Sequence, residues 1–223
     1  MMISPESYYE MYLKEKDKNQ LLSAIRGLKN EIGHLKNVME HPDYKNGPII
    51  HPSEDVRISC TREYLNRAIQ AYEELGGVYV PSKAEQKAID FQNNLEHISK
   101  LVFEIGGFFD GMTKYTLEFQ GDEVHFVSSK FDMVLEEMPM NKDTIMWLLE
   151  RLYIGEWKKY YDPKRFGYCV LDGTQWNVSF EYSNGNKAVE FGGSNDYPYN
   201  FREFIEIFNL DDDMDIEYDE DEE

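Results

Sequence analysis

Cysteine is scarce in this chain, long apolar runs are missing and bases are few, and each shortage closes off a class of protein. Only Cys60 and Cys169 occur in 223 residues, far apart in a chain large enough to bury a core unaided. They are expected as free, buried thiols in a reducing compartment rather than as a disulfide framework. No apolar stretch approaches the roughly 20 residues that a membrane-crossing helix needs. Met1 to Lys18 lacks a basic segment leading into an apolar one, so no secretory leader is expected and the expected compartment is the cytoplasm. The patterns GxxxxGK[ST], GxGxxG after a strand, HExxH, CxxC and GxSxG are all absent. No catalytic residue, metal ligand or cofactor is therefore singled out.

Bases number 23 against 43 acids, a net charge of −20 that is unevenly spread. Asp211 to Glu223 holds ten acids and no base, half of the net charge in a segment expected to be a disordered acidic tail. The rest of the chain is also acidic. Both parts would repel a phosphate backbone, so direct nucleic-acid binding is not expected.

The apolar pattern predicts an α+β protein. Ser4-Pro5 marks a first helix. From about Asn19, Leu21, Ile25, Leu28, Ile32, Leu35 and Met39 step by four and three, the seam of a helix that packs in a helical hairpin. Ser53 opens a third helix that ends at Gly76-Gly77, and Ser82 with Glu85 forms the capping box of a fourth, with Ala84, Ala88, Phe91 and Leu95 on its apolar face. This helical region is expected to span 1–97.

From 98 to 210 the period changes. A strand over 101–105 precedes two hairpin-then-helix (ββα) units, 113–153 and 174–209, that would build an antiparallel sheet. Gly121-Asp122, read as a type II′ turn, pairs Phe119 with Val124. Asn184-Gly185, read as type I′, pairs Phe180 with Val189 and Val178 with Phe191. Asn141 caps the first unit's helix. Gly192 to Tyr199 reads as a loop, and Asn200 with Glu203 as a capping box for the helix that carries Phe201, Phe204, Ile205 and Phe208.

Two places draw functional interest. Trp157, Tyr160, Tyr161, Tyr197 and Tyr199 form a candidate interaction surface, because an aromatic-plus-basic segment can stack on a partner or grip an anion. Aromatics covering a sheet would look the same. The connection from Glu40 to Pro52 gathers His41, Asp43 and His51, but at no recognised zinc spacing, so a structured connector explains it as well as a binding loop.

The segments Asp172–Trp176, Tyr182–Gly185 and Gly193–Phe201, with Ile25–Lys29 and His51–Asp55, resemble a family of uncharacterised proteins of anaerobic, gut-type Firmicutes, found in genomic and mobile-element settings. The resemblance implies a bacterial, cytoplasmic protein and brings no activity, ligand or site residue. The expected function is a non-catalytic protein-interaction module, an adaptor or inhibitor with a protein partner and no membrane. The alternatives are an acidic nucleic-acid mimic that blocks a nuclease, and a small-ligand binder or enzyme.

Overall fold

The computed structural model describes residues 2–46, 51–107, 109, 111–170, 172–208 and 210; the acidic segment 211–223 lies outside them. The chain divides into two compact units, one ending at Pro81 and the next beginning at Ser82, rather than at the expected 97/98 boundary.

In the first unit, α1 (Pro5–Tyr8) starts at Ser4, whose side chain accepts from the Ser7 amide, and runs into a π-helical turn over Tyr9–Leu13. Then α2 (Lys18–Met39) opens with an Asp17/Gln20 capping box and buries Leu21, Ile25, Leu28, Ile32 and Leu35, the predicted seam apart from Met39, which is half-buried. Its partner is α3 (Glu54–Glu74). Lys18 Nζ donates to Gly76 O at one end and Arg57 Nη2 to Glu31 at the other, so the two helices run antiparallel as a hairpin. Gly76 takes φ 75°, and its amide and that of Gly77 return to the carbonyls of Glu73 and Tyr72, closing α3 with a Schellman motif.

The second unit begins with α4 (Lys83–Asn94), whose Ser82/Glu85 capping box forms as predicted. Phe91 and Leu95 enter the core of the sheet, which is why α4 belongs with the strands and not with the helical hairpin; Ala84 is left exposed. The strands are β1 (Ile98–Gly107), β2 (Gly111–Gln120), β3 (Glu123–Lys130), β4 (Met133–Asn141), β5 (Tyr160–Tyr161), β6 (Thr174–Tyr182) and β7 (Val189–Ser194). They form one sheet in the order β4-β3-β2-β1-β6-β7-β5, antiparallel except for the short β5–β7 pair. Helices α5 (Lys142–Arg151) and α6 (Phe201–Ile205) pack into the same core as α4. The fold is α+β, and both hairpin-then-helix units are present.

Both predicted registers hold: Phe119 faces Val124, Phe180 faces Val189 and Val178 faces Phe191. Gly121 carries the positive φ of its turn at 62°, and the Asn141 side chain caps α5 through the Thr144 amide.

Four expectations change. Residues 133–141 form the strand β4, which was not expected. Asn184 does not take a positive φ, so the β6–β7 turn is not type I′; its carboxamide oxygen accepts the Asn186 amide instead. Gly192 and Gly193 belong to β7 rather than a loop, and both are closely covered: a Cβ on Gly192 would sit 2.8 Å from Asn177 Oδ1, and one on Gly193 2.5 Å from Trp176 Nε1. Finally, Cys169 is exposed and Cys60 half-buried, both free thiols.

Candidate functional site

The five aromatics predicted as a surface are mostly core. Trp157 is 3% exposed, Tyr161 1% and Tyr197 9%; only Tyr160 stands in solvent, with Tyr199 half-buried. The hydrogen bonds explain the burial. Trp157 Nε1 donates to Asn200 Oδ1 at 2.9 Å, and Asn200 Nδ2 donates to Leu152 O. Asn200 therefore ties α6 to the end of α5, and its side chain does not cap α6 as expected. Arg165 grips the buried Asp196 with two bonds, Nε to Oδ2 at 2.6 Å and Nη2 to Oδ1 at 2.8 Å, while its guanidinium stacks on Phe166. Trp176 Nε1 donates to Asp196 O. The aromatic-plus-basic segment packs at the β7 side of the sheet, with Tyr160 and Tyr168 left in solvent.

The polar loop does not converge either. His41 Nδ1 accepts the Asp43 amide at 3.2 Å and lies 3.6 Å from its carboxylate, a local contact on an exposed turn. His51 is exposed. The anchor of the loop is Tyr44, whose hydroxyl donates to the buried Glu54 at 2.9 Å; burial first, then this bond, pushes the Tyr44 phenol up to about 12. Among the described residues, no three His, Cys, Asp or Glu side chains are grouped to hold a metal ion.

Apolar surface collects instead at the open edge of the sheet. Phe131, Met133, Val134 and Leu135 are 71%, 64%, 61% and 59% exposed, and among the described residues β4 pairs on one side only, with β3. At the same end of the sheet, Phe109 stands 84% exposed in the β1–β2 connection. The turn into β4 is unusual. Phe131 and Asp132 take φ 50° and 61°, the two left-handed positions of a type I′ turn, with neither glycine nor asparagine to ease them. The Phe131 ring lies against Gly111, where a Cβ would come within 2.9 Å of it. A register shift at Ser128/Ser129 makes Leu135 the extra residue of a bulge. Beyond it, Met138 and Met140 turn back into the core, and Glu136, Glu137 and Pro139 are exposed.

This site was not read from the sequence, although a signal for it is there. Met133-Val134-Leu135 followed by Glu136-Glu137 and Pro139 is how an edge strand is guarded, an apolar run stopped by charge and proline. The turn residues Phe131-Asp132 hid it, because nothing in their chemistry announces a hairpin.

The face of the sheet opposite its aromatic core carries charged side chains of both signs. Lys100 bonds Glu118 at 3.0 Å across β1–β2, and Lys114 lies 3.8 Å from Glu104. No described helix is long and apolar enough to cross a membrane. The chain matches no family model, no curated protein and no solved structure.

Proposed function

We propose that the chain is a non-catalytic protein-interaction module, working in the cytoplasm as an adaptor or inhibitor, and that its interface is the outer edge of β4. The occupant is an extended segment of a partner protein, with a short apolar stretch followed by basic side chains. The observation that carries this reading is the exposed run Met133-Val134-Leu135 on a strand whose second edge has no neighbour among the described residues. An unpaired edge presents amides and carbonyls that an added strand can satisfy, with side-chain matching supplying specificity. Met133 to Leu135 would meet the apolar stretch, and Glu136 and Glu137 the bases.

A second copy of the chain fits this edge poorly. Antiparallel self-pairing that sets Val134 on Val134 puts Met133 against Leu135, but it also puts Glu136 of one copy against Asp132 of the other. Shifting the register so that Leu135 meets Glu136 buries carboxylates against aliphatic side chains. Like charges placed directly opposite destabilise a strand pair.

Affinity purification with mass spectrometry tests the reading, using wild type, Val134→Lys/Leu135→Lys and Glu136→Lys/Glu137→Lys. The expected result is a partner with a basic extended segment, retained by wild type at low salt and lost from both variants. Slowed amide exchange in β4 within the complex would place that partner on the edge. A partner kept by both variants overturns the reading, as does a β4-dependent dimer of this chain in sedimentation.

A further inference from the structure

A second surface feature is unrelated to the edge of β4. Along α4, where it crosses the β6–β7 hairpin, lies an open groove of about 330 Å³. Its floor is apolar: Phe91, Val189 and Phe191, with Gly155 so close beneath that a Cβ there would sit 2.9 Å from Ala88 and Phe91. Its rim holds Lys83, Lys87 and Lys187 against one acid, Asp90. In a chain of net charge −20 this is a local reversal of sign. Asp90 Oδ1 already accepts from Gln86, and neither Lys83 nor Lys187 has an ion-pair partner among the described residues. Lys87 leans over the Phe191 ring at 5.6 Å.

We infer that this groove is a binding site for a small organic anion, a phosphate or carboxylate held by Lys83, Lys87 and Lys187 with an apolar or aromatic body resting on Phe91, Val189 and Phe191. A second, independent feature points to a ligand. Tyr182 lines the groove, and its hydroxyl is buried with no hydrogen-bond partner among the described residues. A buried hydroxyl left unpaired is costly, and a ligand whose anionic oxygen draws it toward the groove would satisfy it. Burial holds the phenol up to about 12, so it remains a donor across the physiological range. The far end of the groove is pre-organised: Asn94 Oδ1 accepts from both Asn184 Nδ2 at 3.0 Å and Asn186 Nδ2 at 2.6 Å, fixing the hairpin tip against the end of α4. An apolar floor with a few convergent polar groups is how small-molecule sites are built.

Isothermal titration calorimetry of the full chain with phenyl phosphate tests the site, with inorganic phosphate and phenol as the two halves of the probe. Phenyl phosphate is expected to saturate with a Kd on the order of 1 mM or tighter, and each half to bind at least about tenfold more weakly. Lys83→Gln/Lys187→Gln should weaken phenyl phosphate about tenfold and Tyr182→Phe roughly threefold, while Phe131→Ser/Leu135→Ser leaves it unchanged. Benzoate binding with the same lysine dependence would support the site and assign a carboxylate head group. No saturation by roughly 10 mM probe overturns the inference. So does binding indifferent to the lysines, or binding lost through the β4 edge variant. Because the edge variant serves as the control, failure here leaves the β4 interface standing, and the reverse also holds.

Discussion

The two hairpin-then-helix units of the sheet treat their apolar residues in opposite ways. The second unit, over β6, β7 and α6, buries Trp176, Phe180, Phe191, Phe201, Phe204 and Phe208 almost completely. The first, over β2 to β4 and α5, buries Phe126, Ile145 and Leu149 but leaves Phe131, Met133, Val134, Leu135 and Trp147 in solvent. The first unit adds a third strand, β4, between its hairpin and its helix, and the second does not. The difference lies in what stands beyond the hairpin: past β7 come β5 and the 194–200 loop, locked by Arg165 and Asp196, whereas past β4 no described element pairs. Aromatic density therefore marks the core of this protein, and the candidate interface is marked by where the sheet ends.

The largest expected effect tests that contrast directly. Phe204, fully buried between Phe103, Trp157 and Phe208, should cost about 3–5 kcal/mol when changed to alanine, by the lost transfer energy and the cavity left behind. Phe131→Ala should stay within about 0.5 kcal/mol, since its ring is mostly in water. Urea unfolding of the two variants measures both. Similar losses would mean that Phe131 belongs to the core and that the edge is not free to bind.

Next comes the lock that closes the second unit. Arg165→Ala leaves Asp196, whose side chain is 3% exposed, without its bidentate partner, and should cost about 3 kcal/mol. Asn200→Ala strands Leu152 O and the Trp157 indole N–H, at about 2 kcal/mol. If Arg165→Ala were silent in denaturant melts, the 160–167 segment would not be what shields β7, and the comparison between the two edges would lose its physical basis.

How much of this was legible follows from the range of each signal. Registers across the Gly121-Asp122 and Asn184-Gly185 turns were readable because alternation and turn position are local, and so was the α2 seam. Asn200 shows the limit. Its spacing to Glu203 is that of a capping box, yet two buried long-range partners, Leu152 and Trp157, take its carboxamide. The same holds for Trp157 and Tyr161, which read as surface until Trp176 and α6 close over them. The lysine groove draws on α4 and on β7, remote in sequence, and no local pattern joins them.

Tyr182 sharpens the comparison at a smaller scale, being the one tyrosine of the second unit with a buried, unpartnered hydroxyl among the described residues. Tyr182→Phe should stabilise the chain by about 1 kcal/mol at neutral pH, since it removes a desolvated hydroxyl that bonds nothing. It should also change the alkaline limb. The folded chain keeps this phenol neutral up to about 12 while the unfolded chain ionises near its ordinary 10.0. Stability that is intact below pH 10 is therefore lost as pH climbs from about 10 through about 12. In thermal melts followed across that window, the Phe variant should fall less steeply, with the raised phenols of Tyr8, Tyr44 and Tyr115 left to shape the rest of the limb. An unchanged limb would mean that water reaches the hydroxyl and that the groove is shallower than its lining indicates.

The smallest effect concerns the turn at the open edge, where Phe131 and Asp132 occupy left-handed backbone that non-glycine residues avoid. Strain of this kind persists where surrounding structure holds it, and it gathers at sites with a task. Here it holds the Phe131 ring against Gly111 at the entrance to β4. Asp132→Gly keeps the ring and relieves one position, so it should add roughly 0.5 kcal/mol to stability and leave partner binding as it was. Phe131→Asn/Asp132→Gly installs residues that suit both positions and should add a few tenths more, but it removes the ring and should weaken the partner. The pair of variants separates stability from binding at one turn. A double variant that gained stability and bound as well as wild type would take Phe131 out of the interface and confine it to Met133, Val134 and Leu135.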